Sequence, residues 1–112
     1  MDTRKLSTGH TRVRFKLSNK AYETVTSAIK ATKRDYPNSA IELIALNSIS
    51  GVPAGLCAET KGRNRLLVKL HPEQYENFKC AMNSALYDYS SPEDAITAMS
   101  SYFLYLTNED PS

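Results

Sequence analysis

The sequence predicts a mostly α-helical domain made of two strand–helix–helix units, in the order β-α-α-β-α-α. Three observations predict it. Residues Arg12–Leu17 alternate cation and apolar residue with a period of two, which places Arg12, Arg14 and Lys16 on one face of a strand and Val13, Phe15 and Leu17 on the other. A second alternating stretch, Arg65–Leu70, sets Leu66, Val68 and Leu70 against Arg65, Leu67 and Lys69. Behind each strand, apolar residues recur at helical spacing in two successive stretches, and the two halves align. Leu17 matches Leu70, Tyr22 matches Tyr75, Glu23 matches Glu76 and Tyr36 matches Tyr89, while Ile41 matches Ile96 at a slightly longer offset. One such unit cannot bury its own strand and helix faces, but two can do so together.

Residues 1–10 are polar and turn-rich and are expected to form a flexible basic arm carrying Arg4 and Lys5. The first unit spans residues 11–50. Ser18 or Asn19 is a suitable N-cap for a helix over 19–34, with Tyr22, Val25, Ile29 and Thr32 as its apolar stripe. Tyr36 and Pro37 stop it, because proline cannot continue the hydrogen-bond ladder and restricts its predecessor. Asn38 or Ser39 then caps a helix over 40–50, striped by Ile41, Ile44, Ala45 and Ile49.

Residues 51–64 read as a linker. The second unit, 65–106, opens a helix at His71 and Pro72, with proline at its favoured first position and Glu73 and Glu76 near the positive dipole end. Tyr75, Phe78, Met82 and Ala85 or Leu86 form its stripe. Ser91 caps a last helix from Pro92 to Leu106, striped by Ile96, Met99, Phe103 and Leu106, and residues 107–112 are expected to fray. The two units are expected to form one compact domain.

Composition bounds the function. The chain has 112 residues, 41% of them hydrophobic and 23% charged, enough for one modest core. No run approaches the ~20 apolar residues needed to span a bilayer, so a soluble, cytoplasmic protein without a membrane partner is expected. Cys57 and Cys80 form no metal or redox motif. No Gly-rich phosphate loop, nucleophile elbow or H-E-x-x-H pattern occurs; no enzyme activity, cofactor, metal or small-molecule substrate is expected. His10 and His71 lack a metal-spaced partner, and His71 sits where a capping or turn role is expected. Glu93 and Asp94 read as dipole partners at a helix start.

Charge is unevenly placed. The net +2 divides into +5 over residues 1–50, +3 over 51–70 and −6 over 71–112. A strand face bearing little except positive charge, on a chain polarised in this way, points to a polyanionic partner, and nucleic acid is the expected one. Arginine and lysine can donate to the O6 and N7 acceptors of guanine in the major groove.

A short alternating strand followed by two amphipathic helices, the second opened by Asn or Ser, resembles the ribbon–helix–helix family of DNA-binding proteins over residues 12–50 and 65–106. Both units on one chain are similar to the tandem accessory proteins of conjugative plasmid transfer. The resemblance implies a pseudo-dimer whose two strands pair as a two-stranded antiparallel ribbon that enters the major groove. It assigns base contact to Arg12, Arg14 and Lys16 and to Arg65, Leu67 and Lys69. It assigns phosphate contact to helix starts, here Asn38, Ser39, Ser90 and Ser91; the charge of the arm adds Arg4 and Lys5 as expected phosphate contacts. Two departures stand out: Leu67 replaces a polar reader, and Pro92 removes an N–H donor.

The resulting expectation is a sequence-specific DNA-binding protein acting as a small transcriptional regulator, or else as a relaxosome-type accessory factor. The alternative is a protein-interaction module of similar shape that does not use DNA. Residues 102–106, apolar beyond one stripe, are a candidate seat for self-association on DNA.

Overall fold

The computed structural model describes residues 2–47, 59–85, 89 and 91–108. Its elements are β1 (Asp2–Lys5), β2 (Thr11–Leu17), α1 (Asn19–Ala31), α2 (Pro37–Asn47), β3 (Asn64–Leu70), α3 (Pro72–Ala85) and α4 (Pro92–Asn108). The strands form one antiparallel sheet in the order β1-β2-β3.

A two-stranded ribbon is therefore not what the chain builds, and the tandem ribbon–helix–helix architecture is corrected by the third strand. The arm expected to be loose is β1. A turn reverses the chain between β1 and β2: Leu6 N–H donates to His10 O at 2.8 Å and Gly9 N–H to Leu6 O at 3.0 Å. Gly9 sits at φ +93°, a conformation that favours glycine. All four residues of β1 are exposed, so the strand buries no face and leaves no alternation to read.

The other two strands follow the expected pattern. Val13, Phe15 and Leu17 on β2 and Leu66, Val68 and Leu70 on β3 enter the core. Phe15 meets Phe78 of α3 edge-to-face, with ring centroids 6.2 Å apart. The helices pack crosswise beneath the sheet, α1 against α4 and α2 against α3. Ile41, Ile44, Ala45, Met82, Ile96, Met99 and Phe103 fill the space between them.

Helix ends differ from expectation in instructive ways. Ser18 caps α1, accepting Ala21 N–H at 3.2 Å. The helix stops at Ala31, before Pro37 has any influence. The Thr32 hydroxyl donates to Ile29 O at 2.6 Å, and Lys33 adopts φ +58°, which turns the chain out of the helix. Its buried residues are Ala21, Val25 and Ala28, while Tyr22 and Ile29 only flank the core. Pro37 is the first residue of α2, so Asn38 and Ser39 lie inside its first turn instead of capping it. Ser91 caps α4 through Asp94 N–H at 3.2 Å, and Leu106 is partly exposed, not buried. Ile49, Cys57, Leu86, Ser90, most of the linker and residues 109–112 lie outside the described residues.

Segment 59–64 is tied to the end of β2. Ser18 N–H donates to Thr60 O at 2.8 Å, Gly62 N–H to Lys16 O at 3.3 Å, and Asn64 Nδ2 to Leu17 O at 3.1 Å. A Cβ on Gly62 would lie 2.5 Å from Ser18 Cα, so glycine is required by contact there. Among the described residues no helix is long and apolar enough to cross a membrane.

Candidate nucleic-acid interface

Residues directly opposite one another in an antiparallel pair share a face. The register therefore fixes which side chains stand together on the solvent side. Arg4, Arg12 and Lys69 form one row across the three strands; Asp2, Arg14 and Leu67 form the next; Lys16 and Arg65 form the third. Their alternating neighbours go to the core, so none of these rows can rotate inward without expelling Val13, Phe15, Leu66 or Val68. Six cations are thus gathered on one face with one carboxylate and one leucine. Lys16, Arg65, Lys69 and Arg4 are exposed; Arg12 and Arg14 are half-buried by their neighbours.

Every base-contact candidate, Arg12, Arg14, Lys16, Arg65, Leu67 and Lys69, lies on this face. Leu67 is 52% exposed, an apolar side chain set among cations. The phosphate candidates separate. Arg4 and Lys5 line a cleft of about 580 Å³ with Ser7, Thr8, His10, Asn38 and Lys69, between the β1–β2 turn and the start of α2. Asn38 Nδ2 donates to Gln74 Oε1 at 3.2 Å, and the same oxygen accepts His71 N–H at 3.0 Å, which joins the starts of α2 and α3. Ser39 N–H donates to Asn38 Oδ1 at 2.9 Å. The rings of His10 and His71 lie 4.3 Å apart beside this cleft.

At the opposite end of the sheet carboxylates join the cations. Ser91 is buried and its hydroxyl serves the α4 cap. Glu93 and Asp94 occupy the first turn of α4, and Asp94 accepts from the Thr60 hydroxyl. A cleft of about 360 Å³ there is lined by Asp2, Arg14, Lys16, Lys61, Gly62 and Glu93, mixed in charge.

The feature missed from sequence is the pair Arg14–Asp2. Arg14 Nη2 donates to Asp2 Oδ2, and this hydrogen bond and the guanidinium charge hold the Asp2 carboxyl below its usual range. Asp2 and Arg14 are twelve residues apart, and only the β1–β2 register brings them together.

No known protein family, curated protein or solved structure matches the chain.

Proposed function

We propose that the protein is a sequence-specific double-stranded DNA-binding protein, a small cytoplasmic transcriptional regulator that lays the solvent face of its sheet against the major groove. The observation that carries this reading is the set of in-register rows that gather Arg4, Arg12, Arg14, Lys16, Arg65 and Lys69 on one face. Outer strand axes in a three-stranded sheet stand roughly 10 Å apart. The groove is about 12 Å wide, so such a sheet covers the groove mouth with its central strand over the base edges.

In this arrangement Arg12, Arg14 and Lys16 on β2 address base edges, joined by Arg65, Leu67 and Lys69 on β3. Leucine offers apolar contact to a thymine methyl. Arg4 and Lys5, beside the start of α2, hold the sugar–phosphate backbone, which fixes register without reading sequence. Positive charge gathered on one side also steers the encounter with a polyanion.

The second reading, a protein-interaction module, is favoured by one observation. Tyr36, 70% exposed, shares with Pro37, Asn38, Leu67 and Val68 an apolar cleft of about 460 Å³ that is flanked by Arg12 and Lys69. Fluorescence anisotropy against random duplex at two salt concentrations separates the two. DNA binding that weakens steeply with salt supports the first; no binding at low salt leaves the second. Arg14→Ala is then expected to relax selectivity between a selected and a random duplex. Equal losses on both would count against base reading.

A further inference from the structure

Asp2 is the one carboxylate that the strand register places on the cationic face, and it stands directly opposite Arg14 in the central row. A carboxylate facing DNA repels every phosphate, so its position needs a reason. The state of Arg14 supplies one. The side chain is 29% exposed, its Nη2 is engaged by Asp2, and its Nε–H is buried with no acceptor among the described residues. Among the described residues Arg14 is thus held by Asp2 and left incompletely satisfied.

Resting on the DNA reading above, we infer that Asp2 is a specificity-determining residue: it withholds Arg14 from DNA unless a base edge offers two acceptors in place of the carboxylate. Guanine presents O6 and N7 side by side and can take the guanidinium in a bidentate pair. Adenine presents a donor beside its N7, and thymine one acceptor beside a methyl group. On such sequences Arg14 keeps Asp2, and the carboxylate remains over the groove as a repulsive element. Selectivity between partners often rests on such a penalty against the wrong one as well as on attraction to the right one. The location suits the role, because Arg14 is on the middle strand, which this reading sets over the base edges.

The test is a double-mutant cycle with two probes, the tightest duplex recovered from a randomised pool and the unselected pool itself. Asp2→Asn removes the charge while keeping the size of an exposed edge-strand side chain, so folding is retained and is checked by circular dichroism. The variant is expected to bind both probes more tightly, but the random pool more so. Its selectivity ratio falls about tenfold, the scale of one bidentate guanine contact. In an Arg14→Ala background, Asp2→Asn should tighten both probes equally and leave the ratio unchanged. An unchanged ratio in the Asp2→Asn single variant overturns the inference. So does a ratio change that persists without Arg14, or weaker binding on removing the carboxylate. A wild-type chain that binds neither probe at low salt overturns the DNA reading itself, a result distinct from these.

Discussion

The two ends of the sheet come from similar strand–helix–helix stretches, yet they differ in electrostatic character. At the end where α2 begins, Arg4, Lys5, Lys69 and His10 surround an open cleft, and the first turn of α2 carries no acid. At the end where α4 begins, Glu93 and Asp94 fill the first turn, Ser91 is consumed by its cap, and Asp2 stands close by. A helix start favours an anion of some kind. At α4 the chain's own carboxylates meet that preference; at α2 only Asn38 Oδ1 does, through Ser39 N–H, and the neighbouring Arg4, Lys5 and Lys69 leave room for an external anion. Repetition of a backbone pattern therefore does not imply repetition of a binding site, and on the proposed DNA-binding reading the two ends of the sheet contribute unequally.

The largest expected effect tests that asymmetry on DNA. Arg4→Gln with Lys5→Gln should reduce the slope of log affinity against log salt by about two and weaken all sequences alike, roughly a hundredfold at low salt. Lys61→Gln with Arg63→Gln, near the α4 end, should change the slope by less than about one. Equal effects would mean the two ends act alike.

Next in size is a contrast between glycines. Gly62→Ala drives a Cβ into the backbone of Leu17 and Ser18 and should lower stability by about 2–3 kcal/mol in denaturant titration. Gly9→Ala meets no atom within 4 Å and is opposed only by its positive φ, which should cost about 1 kcal/mol. A smaller contrast concerns caps: Ser18→Ala and Ser91→Ala should each cost about 1 kcal/mol by the same measurement, since each hydroxyl accepts a first-turn N–H.

The smallest effect is one of pH. Asp2 has its carboxyl depressed by Arg14, so its contribution is present above the ordinary carboxylate range and fades as pH falls through the lowered value. Because Asp2 is exposed, solvent screens the pair, and the loss should show only as a slight steepening of acid unfolding that is absent in Asp2→Asn.

These comparisons separate what could be read in the sequence from what could not. Alternation marked β2 and β3 because each has one buried face, and the register then placed all six base-contact candidates together. Ser18, Ser91 and Pro72 announced helix starts through local chemistry that tertiary packing left intact. The first strand was illegible because a strand with no buried residue has no hydrophobic period, and the Gly9 turn was its one signal. The buried face of α1 turned toward Ala21 and Ala28 because small residues allow close approach to α4, whereas Tyr22 and Ile29 mark the rim. Asp2 and Arg14 meet only through strand pairing, which spacing along the chain does not encode.

The central claim, that the solvent face of the sheet is the DNA-binding surface, is tested most directly by titrating duplex DNA into the isotopically labelled protein at low salt and following its amide signals. Shifts should concentrate on Arg4, Lys5, residues 12–16 and 65–69 and the first turn of α2, leaving the exposed sides of α1 and α3 in place. Shifts confined to the helices, or none at any DNA concentration, would contradict the account.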